Sequence, residues 1–254
     1  MKLDKTVAFV TGGASGLGEA VVRMVIDAGG RAAIFDLPSS RGAEFASELG
    51  DRAAFLAVDV AEPAQVEQAV DAAAEHFGRV DLLVNVAGVS PAGRTLNRAG
   101  EMFPLETFRR TVEINLIGLY DVVRHTVRHM ARNEPDADGG RGLVVNTASI
   151  AGIEGQSGQT AYAASKGAII ALTLPLARDL AIWGIRVMTI APGMMDTAMF
   201  ADFSESRREA MAALQLFPKR LGRPEEFAQL VRALLENEML NAEVVRLDAG
   251  ARVA

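Results

Sequence analysis

The chain has 254 residues, 50% of them hydrophobic, which is enough for one large domain with a sizeable core. Its formal net charge is −6, and it lacks the basic stripe that a general nucleic-acid binder needs to neutralise phosphates. It contains no cysteine, which excludes disulfides, thiolate metal sites and thiol catalysis and is compatible with a reducing compartment.

The N-terminus and the apolar segments give no sign of membrane insertion. A strand-like run begins at Val7, which leaves no room for a signal peptide. No apolar run approaches the ~18 residues of a spanning helix, since segment 167–176 contains Pro175 and is soon followed by Arg178. We therefore expect a soluble, cytoplasmic protein without a membrane partner.

The first predicted strand, Val7–Val10, leads into a glycine-rich turn and then a helix. The turn contains Gly12, Gly16 and Gly18, and the helical pattern ends at Gly29. A strand, a glycine-rich turn and a helix N-terminus together form a phosphate site, because backbone N–H groups and the helix dipole attract a pyrophosphate. The alternative is a turn that only packs a helix closely against a strand.

The second predicted strand, Ala32–Phe35, ends at Asp36. An acidic residue at this place can accept hydrogen bonds from an adenosine ribose and would repel a 2′-phosphate. The glycine turn has no Lys or Arg, and Arg41 is the nearest after Asp36. This favours NAD over NADP. A turn or helix-capping role for Asp36 applies if the glycine turn binds no nucleotide.

Strands continue to alternate with helices along the chain. The pattern predicts an α/β fold in which a doubly wound parallel sheet of seven strands carries helices on both faces. The further strands are Ala53–Val58, Val80–Asn85, Gly142–Thr147, Ile185–Ile190 and Val244–Leu247, and the main helices are Glu62–Phe77, Leu105–Arg132 and Gly158–Trp183.

Tyr162 and Lys166 are four residues apart on a predicted helix and therefore share one face. A nearby ammonium favours the phenolate, so the pair could move a proton on or off an alcohol oxygen. Alone, the same spacing fits a solvated helix face with an extended lysine. Ser149 follows the fifth strand, at the sheet edge where the glycine turn and Asp36 also fall, and this convergence favours the catalytic interpretation.

As a set, these motifs resemble the short-chain dehydrogenase/reductase family from end to end. The matching residues are Thr11-Gly12-x-x-x-Gly16-x-Gly18, Asp36, Asp59-Val60, Asn85-x-Ala87-Gly88, Asn115, Ser149, Tyr162-x-x-x-Lys166 and Pro192-Gly193. Val86 departs from the pattern, because many members have a second Asn there. The resemblance implies one Rossmann-type domain over residues 1–254, with substrate loops at about 90–104 and 194–216.

Further stretches resemble the type-2 3-hydroxyacyl-CoA dehydrogenases within that family, also called type-10 17β-hydroxysteroid dehydrogenases. Examples are the segments beginning at Glu154, Thr173, Phe217 and Glu243. The resemblance implies an NAD-dependent homotetramer of fatty acid metabolism that oxidises 3-hydroxyacyl-CoA or some hydroxysteroids. The likeness weakens in the two substrate loops, so a hydroxysteroid or another secondary alcohol stays open as substrate.

The resemblance also implies residue roles. Tyr162 as phenolate takes the substrate hydroxyl proton, and Ser149 bonds the substrate oxygen. Lys166, together with the positive nicotinamide of the oxidised cofactor, lowers the Tyr162 pKa, and it also holds the nicotinamide ribose. Asn115 lies near a proton exit or is a satisfied buried amide, and Gln156 contacts substrate or stabilises its loop. The implied cofactor positions are Gly12, Ser15, Gly16, Leu17, Gly18, Asp36, Asp59, Val60, Asn85, Ala87, Gly88, Tyr162, Lys166, Pro192, Gly193 and Thr197.

Several other side chains have two possible roles. An apolar group could form an adaptable acyl pocket or a core stripe: Met194, Met195, Met199, Phe200, Phe203, Met211 and Leu214. Exposed arginines could meet CoA phosphates or have no such role: Arg94, Arg98, Arg207 and Arg208. His125 and His129 have a zinc-compatible spacing but no evident third ligand, so no metal is expected. A non-catalytic NAD sensor is the remaining alternative, and the intact Ser149, Tyr162 and Lys166 argue against it.

Overall fold

The computed structural model describes residues 1–197 and 204–252. The strands are β1 (Val7–Thr11), β2 (Arg31–Asp36), β3 (Ala53–Ala57), β4 (Leu82–Asn85), β5 (Gly142–Thr147), β6 (Ile185–Pro192) and β7 (Val244–Leu247). The α-helices in these ranges are α1 (Gly16–Asp27), α2 (Gly42–Leu49), α3 (Pro63–Phe77), α4 (Leu105–Val112), α5 (Leu119–Met130), α6 (Thr160–Leu180), α7 (Glu205–Ala213) and α8 (Pro224–Glu236).

All seven strands form one parallel sheet in the order β3-β2-β1-β4-β5-β6-β7. The chain winds outward from β1 in one direction and then, from β4, in the other. The predicted doubly wound sheet is therefore confirmed. Because every strand is parallel, all carboxyl ends meet at one edge, and the direction of winding changes between β1 and β4, where ligands of such sheets commonly bind.

Alternate residues along the strands belong to two buried hydrophobic clusters, one on each face of the sheet. Val7 and Phe9 pack with side chains of α3, α5 and α6, whereas Ala8 and Val10 pack with α1, α2 and α8. Strands buried on both faces need apolar residues at nearly every position, which explains the continuous apolar runs in the sequence.

The largest departure from the predicted elements lies in Leu105–Arg132. The single long helix predicted there is wrong in detail, because the π-helical segment Glu113–Gly118 separates α4 from α5. Helices α2, α7 and α8 were not predicted. The helix predicted over Gly158–Trp183 begins at Thr160, and its last turn, Ala181–Trp183, is a 3₁₀ segment in which Trp183 is half exposed.

The segment Thr160–Trp183 is, by length and composition alone, long and apolar enough to cross a membrane. This corrects the expectation that no apolar segment approaches that length. It is weak evidence for a membrane, because the core helix of a soluble protein passes the same test. Here α6 packs against β6 and contributes Ile169, Leu176 and Leu180 to the core.

Candidate active site

The glycine-rich turn joins β1 to α1 in a shape that only glycine permits. Gly12 and Gly16 have positive φ angles of 63° and 52°. A Cβ on Gly18 would lie 2.1 Å from the carbonyl oxygen of Gly12, so the first helical turn touches the backbone below it. Ser15 is the N-cap of α1 and is exposed, and its side chain makes no capping bond. Free N–H groups at this helix start fit a pyrophosphate.

Asp36 ends β2 beside this turn. One of its carboxylate oxygens accepts a hydrogen bond from the Ala14 N–H at 3.0 Å, and the other accepts one from the Leu37 N–H at 2.8 Å. Each oxygen keeps a lone pair, which suits the two hydroxyls of a ribose. The ribose contact predicted for Asp36 stays a prediction.

Asp59, which follows β3, is held by protein partners. Its Oδ1 accepts from the Ala61 N–H at 2.9 Å, and its Oδ2 accepts from Arg110 on α4 at 2.7 Å. Val60 is buried, and a Cβ on Gly118 would lie 2.4 Å from the Val60 carbonyl oxygen. The adenine contact predicted for Asp59 and Val60 stays a prediction, and Arg110 is a neighbour that the sequence motifs did not reveal.

A buried polar row crosses the carboxyl ends of β1, β4 and β5. Thr11 donates from its hydroxyl toward Asn85 at 3.5 Å, and Asn85 donates to the Asn146 side-chain oxygen at 3.0 Å. The Thr11 hydroxyl also accepts from the N–H groups of Val86 and Ala87. Asn85 therefore links the neighbouring strands, and its predicted cofactor contact stays a prediction. Thr11 and Asn146 lie within the sequence motifs, but their place in this polar row could be known only once the order of β1, β4 and β5 was known.

Tyr162, Lys166 and Ser149 meet at the same edge. The Lys166 ammonium lies 5.7 Å from the centre of the Tyr162 ring and donates to the Thr147 carbonyl oxygen at 2.7 Å. Ser149 hydrogen-bonds the Tyr162 hydroxyl, and its own oxygen accepts from the Ala151 N–H at 3.1 Å. The structure thus brings the three predicted catalytic side chains together.

The pKa values of this group follow from burial. Burial lowers the pKa of Lys166 to about 8, because it disfavours the ammonium. Burial also raises the pKa of Tyr162, and the hydrogen bond from Ser149 opposes that rise. The predicted lowering of the Tyr162 pKa by Lys166 is therefore not a property of the protein alone, in which desolvation dominates.

Asn115 lies in the π-helical segment and is fully buried. Its side-chain oxygen accepts from the Val89 N–H at 2.8 Å, and its amide group donates to the Val89 carbonyl and to the Ser165 hydroxyl, at 2.9 and 3.0 Å. Ser165 in turn donates to the Tyr162 carbonyl at 2.8 Å. Asn115 is thus a satisfied buried amide that joins the loop after β4 to α6, and the proton exit stays a prediction.

The loops beyond β4 and β6 approach these groups. A Cβ on Gly88 would lie 3.6 Å from the Lys166 Nζ, so the backbone passes directly beside that amine. After Pro192 and Gly193, the side chain of Thr197 lies over Gly16, 3.4 Å from where its Cβ would stand. Leu17 is partly buried beside Gly18, and Gln156 is partly buried before α6.

The predicted substrate wall is only partly described. Met199, Phe200 and Phe203 lie outside the described residues. Met194 and Met195 are buried, and Met195 belongs to the core cluster on the α1 face, which is the core role left open above. Met211 is partly buried and Leu214 is exposed.

The CoA contact predicted for the arginines near the substrate loops stays a prediction, and His129 has a protein partner. Arg94 and Arg98 are exposed, and Arg208 pairs with Asp196. His129 bonds Asp71 at 2.7 Å. Within 1–197 and 204–252, no group of three or more His, Asp or Glu side chains could hold a metal ion.

Comparison with known proteins adds to this geometry. Residues 6–208 match the family described as short chain dehydrogenase. The chain belongs to the short-chain dehydrogenase family. The 3-hydroxyacyl-CoA dehydrogenase type-2 of Bos taurus is 48% identical over 248 residues, which cover 97% of this chain and 95% of that protein.

This short-chain dehydrogenase is also similar to a solved structure and to a dehydrogenase with a different name. The crystal structure of 3-hydroxyacyl-CoA dehydrogenase type-2 from Mycobacterium avium aligns with a TM-score of 0.94 and 43% identity, over 99% of this chain and 98% of that one. An ipsdienol dehydrogenase of Ips pini is 35% identical over 255 residues, covering 99% of each chain.

The chain is therefore an oxidoreductase, and the alternative of a non-catalytic sensor is not retained. Its relatives support dehydrogenation of a small secondary alcohol with a nicotinamide cofactor. The glycine cradle and Asp36 fit the phosphates and the ribose of such a cofactor.

Proposed function

We propose that this dehydrogenase oxidises 3-hydroxyacyl-CoA to 3-oxoacyl-CoA with NAD, using Ser149, Tyr162 and Lys166. The observation that carries the proposal is the buried Lys166 ammonium beside the Tyr162 ring, with Ser149 bonded to the Tyr162 hydroxyl. The full-length likeness to proteins named 3-hydroxyacyl-CoA dehydrogenase type-2 supports the substrate class.

The protein groups have distinct tasks in this oxidation. Ser149 donates a hydrogen bond to the substrate oxygen and fixes the alcohol beside Tyr162. Tyr162 as phenolate removes the hydroxyl proton while the carbon–oxygen bond becomes a carbonyl. The nicotinamide, when bound, supplies the acceptor for the hydride that leaves the same carbon. While it holds its proton, below its pKa of about 8, Lys166 opposes the desolvation cost of the phenolate through its positive charge.

The choice of NAD over NADP is supported by Asp36. Its carboxylate lies beside the phosphate turn, where it would repel a 2′-phosphate. Arg41, the first arginine after Asp36, is engaged by Glu19 and Glu48. The turn itself contains no lysine or arginine that could bind the extra phosphate.

A hydroxysteroid or another secondary alcohol is the second candidate. The 35% identity to an ipsdienol dehydrogenase supports it, because that name indicates an alcohol without CoA. The substrate loop also exposes the apolar side chains of Leu96 and Met102, which would suit an uncharged ligand. The homotetramer and the cytoplasmic location also stay predictions.

The deciding experiment measures NADH formation by the purified protein with short 3-hydroxyacyl-CoAs, hydroxysteroids and simple secondary alcohols, using NAD and then NADP. We expect the highest kcat/KM with a 3-hydroxyacyl-CoA and NAD. Faster turnover of a hydroxysteroid or of a simple alcohol would replace the acyl-CoA proposal with the second candidate.

A further inference from the structure

The four residues after β7, Asp248–Ala251, form what we call the C-terminal junction. Its Ala249 carbonyl accepts from the N–H groups of Leu216 and Phe217, at 3.0 and 3.3 Å, which ties it to the end of the second substrate loop. The Gly193 N–H donates to the Leu247 carbonyl at 2.9 Å, and a Cβ on Gly193 would lie 2.8 Å from the Asp248 Cβ. The junction therefore contacts two segments that border the site.

Arg246 on β7 links this junction to a third segment. Its guanidinium donates to Glu154 at 2.7 Å, to Asp248 at 2.7 Å and to the Ala251 carbonyl at 2.9 Å. The Arg246 and Glu154 side chains are 23% and 25% exposed, and that of Asp248 is 8% exposed. Arg252 faces the same two carboxylates at 3.5 Å, but it is 63% exposed.

The position of Glu154 connects Arg246 to the active site. Glu154 lies between Ser149, which bonds the Tyr162 hydroxyl, and Gln156, in the segment that leads into α6. A guanidinium holds two carboxylates in fixed directions, and partial burial reduces screening by salt. Arg246 therefore fixes the distance between the Ser149–Gln156 segment and the junction.

We propose that Arg246 is a positioning residue that holds the Ser149–Gln156 segment against the C-terminal junction and thereby sets substrate binding. The proposal rests on the proposed function, because it takes Ser149 and Gln156 as groups that meet the substrate. The partners of Arg246 all lie outside the phosphate turn and Asp36, so cofactor affinity is expected to change little.

The test compares Arg246→Gln and Arg246→Lys with a matched control, Arg186→Gln. Arg186 lies on the neighbouring strand β6 and also anchors backbone, donating to the carbonyls of Leu234, Leu235 and Leu240 away from the site. Each variant is characterised by its KM and kcat for the best substrate, its NADH affinity from nicotinamide fluorescence, and its Tm.

For Arg246→Gln we expect kcat/KM to fall by about tenfold or more, mainly through KM, with NADH affinity within about twofold of wild type. The kcat/KM of Arg246→Lys should lie between those of Arg246→Gln and wild type, because an ammonium keeps the charge but lacks the planar guanidinium that bonds both carboxylates. Arg186→Gln should lower Tm without raising KM. An unchanged KM in Arg246→Gln, or an equal rise in Arg186→Gln, would overturn the proposal.

Amide hydrogen exchange without substrate separates this proposal from the proposed function. Arg246→Gln should speed exchange at Gly152–Glu154 and at Leu216, relative to Arg186→Gln, whichever alcohol the enzyme oxidises. Unchanged exchange there would contradict the positioning role even if acyl-CoA turnover is confirmed. If Arg246→Gln does not fold, Glu154→Gln removes the same ion pair at the other end and must show the same rise in KM.

Discussion

At the scale of single residues, burial of the Lys166 amine lowers the free energy of unfolding by a measurable amount. Its pKa is lowered from 10.5 to about 8, because burial disfavours the ammonium. Between these values the unfolded chain holds a proton that the folded protein lacks, so the contribution of Lys166 to the free energy of unfolding rises with pH. Below pH 8 the folded protein carries the buried charge, and there it is least stable relative to a variant with a neutral side chain at this position.

We therefore expect the stability of Lys166→Met relative to wild type to fall by about 3 kcal/mol as pH rises from below 8 to above 10.5. Urea unfolding at both ends of that window measures the change. Lys5→Met, at an exposed position, serves as the control for removal of a lysine charge. A pH-independent difference for Lys166→Met would mean that the amine is not desolvated.

Tyr162→Phe removes the hydroxyl that would exchange the substrate proton and leaves the ring beside Lys166. We expect kcat to fall by about 10²–10⁴-fold while NADH affinity is retained, as measured by turnover and fluorescence titration.

The wild-type activity with NAD should rise with pH, because burial raises the Tyr162 pKa and the reaction requires the phenolate. A flat rate profile under chemistry-limited conditions would argue against the phenolate.

Asp36→Ala should narrow the proposed preference for NAD over NADP by about tenfold, or roughly 1.4 kcal/mol, because the charge predicted to face the ribose is lost. The ratio of kcat/KM values for the two cofactors measures this. Asp36→Asn is a useful companion, because its oxygen can still accept from the Ala14 N–H. A wild-type preference for NADP would contradict the assignment.

Much of the site could be predicted from sequence at this scale. Tyr162 and Lys166 are four residues apart on one helix, so their meeting follows from local geometry. The partners of Asn115 could not be predicted, because Val89 and Ser165 are brought to it by the packing of three separate segments. The sign of the Tyr162 pKa change also depends on burial, which the sequence pattern does not supply.

At the scale of elements, the turn between β1 and α1 depends on close backbone contact. A Cβ on Gly18 would meet the Gly12 carbonyl oxygen at 2.1 Å, and backbone cannot yield as a side chain can. We expect Gly18→Ala to weaken NADH binding by at least about tenfold and to lower Tm. Fluorescence titration and thermal unfolding check both effects, and wild-type affinity in the variant would contradict a backbone cradle.

Strands were easier to predict than helices for a physical reason. Strands buried on both faces have continuous apolar runs, as in β4 and β5, and these stand out in the sequence. The π-helical segment Glu113–Gly118 has no such signature, and the bond from its Asn115 to the Val89 carbonyl is a tertiary contact that the local sequence does not reveal. Helix α2 was missed because, at eight residues, it spans little more than two turns.

At the scale of the whole molecule, the exposed apolar side chains of α5, α6 and the 3₁₀ segment after α6 support the predicted tetramer. Tyr120, Leu174 and Trp183 are each about half exposed. We expect sedimentation to give a homotetramer and Leu174→Glu to shift it toward smaller species, because a charge would be desolvated in the interface. Met239→Glu, in an exposed turn after α8, is the matched control. A monomeric wild type would contradict the prediction.

Trp183 has a practical consequence for optical work on this protein. It is the only tryptophan in the chain, and it lies 21 residues after Tyr162 along α6 and its 3₁₀ extension, or about 30 Å of rise. Ultraviolet-excited indole emission therefore comes from one known point, remote from the reacting groups. Acrylamide quenching of that emission should report burial of this helix end on assembly, separately from ligand occupancy.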